Sequence, residues 1–149
     1  LEPYRMDDAE VVLVFMGSAE GQAHAAVDAA RAAGVKAGAL RIRLLRPFPV
    51  DAIAEALSGA RVVGVMDRAI GFGSAVNPLL ADIKSALWSR TDRPLMKGFV
   101  YGLGGRVVTL GQLNQALGEL VSAFESGEES TTTTYLGLRE DPESAEVSS

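Results

Sequence analysis

The 149-residue chain contains no cysteine and only one histidine, His24. Without cysteine it forms no disulfide and offers no thiolate ligand to an iron–sulfur cluster. A single histidine also leaves most zinc sites and most histidine-based catalytic arrangements incomplete. We therefore predict no metal site and no catalytic residue in this chain, and we interpret His24 as a surface or flanking residue of a helix.

Long apolar runs are missing as well. No run approaches the ~18 apolar residues that cross a bilayer, and no basic-then-apolar leader is present. We expect a cytoplasmic protein that has no membrane partner. The opening Leu1–Arg5 is typical of a linker that enters a domain, so we expect a piece of a longer protein.

Acidic residues outnumber basic ones, and the negative charge is unevenly distributed. The formal net charge is −5, but from Glu125 onward seven acidic residues accompany one base, Arg139. The remainder of the chain is therefore close to neutral and has no basic stripe. This balance excludes a nucleic acid as the expected partner.

What the chain has is a repeated strand–helix pattern. Short apolar runs predict strands over about 10–16, 61–66 and 96–101, of which the first and the second are expected to be central. A further strand is predicted over about 35–45, and because Arg41 and Arg43 lie on one of its faces we expect it near a sheet edge or against a partner. Amphipathic segments predict helices over about 19–33, 50–57, 78–87 and 110–125. We predict an α/β fold with three layers: an open, mainly parallel sheet with helices on both faces.

The expected organisation is a linker over 1–9, one domain over 10–125 and a flexible acidic tail over 126–149. Within the tail, the apolar patch Tyr135–Leu138 is expected to dock on the domain or on a partner. Helix boundaries follow from an N-cap at Ser18, an Asn77-Pro78 start, a capping box of Thr109 with Gln112, and a stop at Gly34.

Ligands of open parallel sheets bind outside the carboxyl ends of the strands. The candidate interface or anion-binding residues at those ends are Arg46, Asp67, Arg68, Gly102, Gly104, Gly105 and Arg106. We favour a structural role for Asp67 and Arg68, as an ion pair at the rim.

The glycine cluster before the last helix permits two interpretations. Gly102–Arg106 is neither the dinucleotide fingerprint nor a phosphate-binding loop, because the third glycine and the Lys-Ser/Thr pair are missing. We favour a tight turn that needs positive φ, with anion binding as the alternative. A helix N-terminus offers about 0.3–1 kcal/mol and a hydrogen bond from Arg106 about 1.5–3 kcal/mol. Their sum corresponds to about millimolar affinity at best.

Five motifs, taken in order, resemble the 2-oxoacid:ferredoxin oxidoreductases, above all pyruvate:ferredoxin oxidoreductase. The resemblance is to the domain that follows the pyrimidine-binding domain of the alpha part, which is similar to the transketolase C-terminal domain, and it covers about residues 4–125. The motifs are Tyr4–Glu10, Met16–Gly21, Arg43–Pro49, Met66–Arg68 and Tyr101–Arg106.

This resemblance implies an enzyme that decarboxylates a 2-oxoacid with thiamine diphosphate and magnesium. Electrons would pass through [4Fe-4S] clusters to ferredoxin, and coenzyme A would take the acyl group. Other domains or subunits would hold the thiamine and the clusters, within an oligomer. This chain, inactive alone and binding no cofactor by itself, would be a structural and interface domain whose rim faces its neighbours.

One position departs from the family pattern. The last motif usually continues from arginine into aspartate, whereas here Val107 follows Arg106. Two alternatives stay open: a stand-alone module that binds an anion or nucleotide, and the C-terminal domain of another thiamine enzyme.

Overall fold

The computed structural model describes residues 1–129 and 132–138. Its strands are β1 (Glu2–Tyr4), β2 (Val11–Met16), β3 (Ala37–Ile42), β4 (Val62–Asp67), β5 (Leu95–Val100) and β6 (Thr134–Tyr135). Its helices are α1 (Glu20–Ala32), α2 (Val50–Ala56), α3 (Pro78–Ala86) and α4 (Leu110–Ser126), with a short 3₁₀ turn over Leu103–Gly105.

The strands form one sheet in the order β1-β3-β2-β4-β5-β6. β1 runs antiparallel to β3, and every other pair is parallel. The predicted α/β architecture, an open and mainly parallel sheet with helices on both faces, is confirmed. Alternation along the strands explains the three layers, because successive side chains of a strand point to opposite faces. In β2, Leu13 packs with α1 and α4, whereas Val12 and Val14 pack with α2 and α3.

Helix boundaries agree closely with the capping signals in the sequence. Asn77 caps α3 by accepting a hydrogen bond from the Leu80 N–H, and Thr109 and Gln112 form the expected capping box. The N-cap prediction for Ser18 is wrong. The N-cap of α1 is Ala19, which provides no side-chain hydrogen bond. A turn at Gly17, with φ +78°, starts the helix one residue later than the sequence suggests.

The linker prediction for residues 1–9 is wrong for Glu2–Tyr4. These residues pair with β3, and the Glu2 carboxylate accepts a hydrogen bond from Arg41 at 3.0 Å. The same guanidinium contacts Glu20 at 2.6 Å, which explains how a strand with charge on one face is accommodated. β3 is also shorter than predicted, because its neighbour β2 ends opposite Ile42 and leaves no parallel partner beyond it.

Part of the predicted flexible tail belongs to the sheet. Thr134 and Tyr135 pair with the end of β5, and the Leu136 N–H donates to the Val100 carbonyl at 2.8 Å. Leu136 is buried against the layer of α1 and α4. Of the two docking sites expected for this patch, the structure shows the domain itself. The acidic stretch over 139–149 lies outside the described residues.

Candidate functional site

The strand order creates a crevice at the carboxyl edge of the sheet. After β2 the chain adds β3 on one side, and it then returns to add β4 on the other side. Such a reversal leaves a gap above the carboxyl ends of the two central strands, where ligands of open α/β sheets bind. A cleft of about 260 Å³ lies there, lined by Met16, Gly17, Ser18, Met66, Asp67, Arg68 and Tyr101.

Asp67 closes the end of β4 and is buried, with 6% of its surface exposed. One carboxylate oxygen accepts the Leu79 N–H at 3.0 Å, and the other accepts the Ala69 N–H at 3.1 Å. A carboxylate that accepts backbone N–H groups satisfies donors that the chain would otherwise bury unpaired. Asp67 therefore holds the loop after β4 against the first turn of α3.

Arg68 points the other way and is exposed. Its guanidinium lies 5.2 Å from the Tyr101 ring centroid, and its Nη2 reaches the Ser18 hydroxyl at 3.5 Å, the limit of a hydrogen bond. The predicted Asp67–Arg68 ion pair is wrong: among the described residues, no carboxylate pairs with Arg68. The Asp67 carboxylate accepts two backbone N–H groups, so the Arg68 guanidinium remains available to a ligand or partner at the cleft.

The glycine cluster is the predicted tight turn. Gly102, Gly104 and Gly105 have φ of +67°, +70° and +76°, a region that other residues rarely occupy. A Cβ on Gly102 would lie 2.9 Å from the Arg106 carbonyl and 3.4 Å from Nε of Arg68. The glycine thus lets the turn close beside the cleft.

Two of the candidate arginines are engaged elsewhere. Arg106 donates to the Gly137 carbonyl at 2.7 Å and so secures the segment that follows β6. Arg46 donates to Asp82 at 2.9 Å and lies 6.0 Å from the Phe48 ring centroid. The structure brings Asp67, Arg68 and Gly102 together, but Arg46, Gly104, Gly105 and Arg106 do not line the cleft.

Sequence reasoning missed Tyr101 as a site residue. Its ring supports Arg68, and its hydroxyl donates to the Met16 carbonyl at 3.2 Å, which joins β5 to the end of β2. The available signal was its position at the end of a predicted strand, directly before the glycine cluster. Ser18, for which the sequence predicts only a capping role, also lines the cleft.

The cleft can attract an anion but has no reactive group with a partner. Its lining has the hydroxyls of Ser18 and Tyr101, one guanidinium and a carboxylate whose two oxygens accept backbone N–H groups. The Tyr101 hydroxyl donates to the Met16 carbonyl, so no general base in this lining serves Ser18. His24 is stacked on Tyr4 with ring centroids 3.7 Å apart, in contact with β1 rather than the cleft. Within 1–129 and 132–138, no three His, Cys, Asp or Glu side chains cluster in a way that could hold a metal.

In the part of the chain that the structure covers, every helix is too short or too polar to cross a bilayer.

Solved structures share this fold. A 2-oxoglutarate:ferredoxin oxidoreductase from Magnetococcus marinus matches with a TM-score of 0.54 and 21% identity, over 76% of this chain and 18% of that one. A split-gene transketolase, as an inactive β4 tetramer, matches with a TM-score of 0.60 and 15% identity, over 81% of this chain and 42% of that one. At such identities the likeness concerns the fold alone.

The likeness to known proteins also extends to the amino-acid sequence. The pyruvate synthase subunit PorA of Thermotoga maritima is 41% identical over 140 residues, which are 94% of this chain and 35% of the relative. This chain thus spans about a third of that relative's length. The model of the pyruvate:ferredoxin oxidoreductase core domain II matches residues 9–113. The resemblance seen in the five motifs is confirmed, and the chain belongs to the pyruvate:ferredoxin oxidoreductase core domain II family.

Proposed function

We propose that this chain is a structural and interface domain of a 2-oxoacid:ferredoxin oxidoreductase. The whole enzyme would convert pyruvate or a related 2-oxoacid to an acyl-CoA and reduce ferredoxin. The observation that carries the proposal is the 41% identity to a pyruvate synthase subunit across 94% of this chain. The composition of the cleft supports the non-catalytic role, because it pairs no nucleophile with a base.

The donor groups of the chain decide which cofactors it can hold. It has no cysteine for a [4Fe-4S] cluster, and its described residues have no acidic or histidine cluster for the Mg²⁺ of thiamine diphosphate. These groups do not fit this chain, so we assign them to other domains or subunits, and coenzyme A to the assembled enzyme. We further propose that the assembled enzyme is a cytoplasmic oligomer that transfers its electrons to ferredoxin.

The carboxyl edge of the sheet is the surface that we assign to the neighbouring domains. Arg68 faces the cleft without a carboxylate partner among the described residues, and the turn over Gly102–Gly105 borders it. Arg46 and Arg106 extend the same edge, and both residues are exposed. In this proposal these groups make contacts between domains and take no part in bond making.

The test is reconstitution. The chain alone, assayed for 2-oxoacid-dependent reduction of a viologen dye with thiamine diphosphate and coenzyme A, should show no turnover. Addition of the remaining subunits, or expression within the intact polypeptide, should restore it. Turnover by this chain alone would refute the structural role, and an assembled enzyme that retains full activity without this chain would refute the assignment.

The cleft supports a second candidate, a module that binds an anion or a nucleotide. The observation that favours it is Arg68, a guanidinium on an aromatic ring at the point where the strand order reverses. Calorimetric titration with coenzyme A, thiamine diphosphate and adenine nucleotides tests it, with Arg68→Gln as the matched variant. Binding tighter than about millimolar that Arg68→Gln abolishes would establish this function, and weaker binding would remove it.

A further inference from the structure

Exposed apolar side chains are confined almost entirely to one edge of this domain. Nine of the ten large apolar residues that are exposed among the described residues lie at the carboxyl edge of the sheet, and only Trp88 lies at the opposite edge. The nine end or follow a parallel strand, begin a helix or flank β1 at that edge: Leu1, Leu44, Val50, Ile70, Phe72, Val107, Leu110, Tyr135 and Leu138. Such segregation marks an interaction surface rather than scattered surface residues.

Phe72 is the most exposed of these residues, since its relative exposure is 109%. It occupies the second position of a four-residue turn in which the Ser74 N–H donates to the Gly71 carbonyl at 3.1 Å. Gly73 has φ +67°, the conformation that a type II turn requires at its third position. The turn therefore projects an aromatic ring away from the domain.

Gly71 makes the shape of this turn specific. A Cβ at Gly71 would lie 2.7 Å from the Ser74 Cβ and 3.0 Å from the Val76 carbonyl. Both glycines are thus needed for the chain to present Phe72 in this way. A pre-formed aromatic side chain is the type of residue that dominates the binding energy of interfaces, because little conformational freedom is lost when it is buried.

Positive charge at the same edge of the sheet as Phe72 specifies the partner further. Arg68 precedes the turn by a few residues, and Arg106 lies after β5 at the same edge. Neither forms an ion pair within the described residues, since Arg68 contacts Tyr101 and Ser18 and Arg106 contacts a carbonyl. A complementary surface would thus offer an apolar pocket for the ring and carboxylates at its border.

From these observations we infer that Phe72 anchors this domain in an apolar, acid-bordered pocket on a further domain of the same oxidoreductase. The occupant follows from length: this chain corresponds to 35% of the PorA relative, so most of that protein's surface belongs to parts that this chain lacks. The inference rests on the proposed function, and it names the contact by which this domain binds a neighbouring domain.

A photo-crosslinking experiment on the intact oxidoreductase identifies what the ring touches. Phe72→p-benzoylphenylalanine is introduced, the assembled enzyme is irradiated, and the cross-linked peptides are mapped by mass spectrometry. We expect a cross-link to a peptide outside the 149 residues of this chain and within the same enzyme. Trp88→p-benzoylphenylalanine, which is also exposed but lies at the other edge, is the control and should give no such product.

The second measurement compares Phe72→Ala and Trp88→Ala in the assembled enzyme. Hydrogen exchange over residues 70–76 should become about tenfold faster in Phe72→Ala, as expected when an aromatic anchor is removed. Trp88→Ala should change the exchange rate over residues 70–76 by less than about twofold relative to the wild type. Both residues are exposed in the domain, so neither change should alter the far-UV circular dichroism spectrum.

The outcomes distinguish a failure of this inference from a failure of the proposed function. An active complex in which Phe72 cross-links only to a second copy of this domain, to residues 139–149 of its own chain, or to nothing would overturn the inference and leave the proposed function intact. Equal exchange in the two alanine variants would overturn it as well. If the wild-type chain forms no complex with thiamine- and cluster-binding domains, both fail together.

Discussion

The buried carboxylate of Asp67 accepts a hydrogen bond from the Leu79 N–H at 3.0 Å, across the loop that joins β4 to α3. The donor belongs to the first turn of the helix, whose N–H groups have no partner within the helix itself. A second bond, from the Ala69 N–H, fixes the start of the same loop. One side chain at the end of a central strand thereby positions both the cleft and the segment that carries Phe72.

Replacement of Asp67 should therefore destabilise the domain even though the residue lines a cleft. In Asp67→Ala both backbone donors lose a charged acceptor, and we expect the free energy of unfolding to fall by about 1.5–3 kcal/mol. Urea denaturation followed by circular dichroism measures the change.

Asp7→Ala is the matched control, because Asp7 is exposed. It should change the free energy of unfolding by no more than about 0.5 kcal/mol. If the two variants were equally stable, Asp67 would have no structural role, and a part in ligand binding would become the better explanation.

The central part of this fold was predictable because it depends on local patterns. The six apolar residues of β2 and the run that forms β4 indicate strands that are buried on both faces, and the structure shows both at full burial apart from Met16. Asn77 and Thr109 act as caps because their side chains reach backbone N–H groups only three residues away. Such interactions need no knowledge of the rest of the chain.

The edge strands and the cleft were not predictable, because they depend on contacts between residues that are far apart in the sequence. β1 and β6 are three and two residues long and carry no periodicity, and each exists only because a neighbouring strand offers unpaired backbone groups. The ring of Tyr101 reaches Arg68 only because β4 and β5 are adjacent. The sequence therefore indicates candidates at the strand ends. The order in which the strands pair in the fold determines which of these candidates lie close together.

Gly64 in the middle of β4 lets α4 approach the sheet. A Cβ there would lie 2.6 Å from a Leu120 methyl carbon and 3.0 Å from the Phe99 ring. Gly64→Ala should lower the free energy of unfolding by about 1–3 kcal/mol, because close packing leaves no room for an added methyl group. Gly118 lies in α4 and has open space around the position of a Cβ. Gly118→Ala should instead raise the free energy of unfolding by about 0.5–1 kcal/mol. Melting temperatures that shift in the same direction would contradict this account.

Leu136 fastens the segment after β6 to the domain. Its side chain is 4% exposed, whereas Leu138, two residues on, is 58% exposed. Leu136→Ala should cost about 2 kcal/mol or more and should speed hydrogen exchange at the Leu136 N–H, which is bonded to Val100. Leu138→Ala should change both quantities little. Equal effects of the two substitutions would show that this segment does not rest on the domain.

Glu119 gives the domain a stability that depends on pH. Burial raises the pKa of this carboxyl, but hydrogen bonds from Lys97, Thr134 and Gln115 outweigh burial and hold its pKa below the ordinary value of 4.5. The Lys97 ammonium is 2.8 Å away and the Thr134 hydroxyl 2.9 Å. A group whose pKa is lowered by folding stabilises the fold above its unfolded pKa, and this stabilisation is lost as the pH falls through the folded value.

We therefore expect that the difference in unfolding free energy between wild type and Glu119→Gln is largest near neutral pH. It should shrink progressively as the pH falls below the ordinary value of 4.5 and through the lowered pKa of Glu119. Urea denaturation at several values between about pH 7 and about pH 3 measures it. Asp92→Asn is the control: a hydrogen bond from Arg90 lowers the pKa of Asp92 too, but this pair is exposed to solvent. Solvent screening makes such a pair weak, so its variant should follow the wild-type pH profile closely. A wild-type profile in Glu119→Gln would mean that the contact with Lys97 contributes no stability, and that other contacts hold β6 and α4 together.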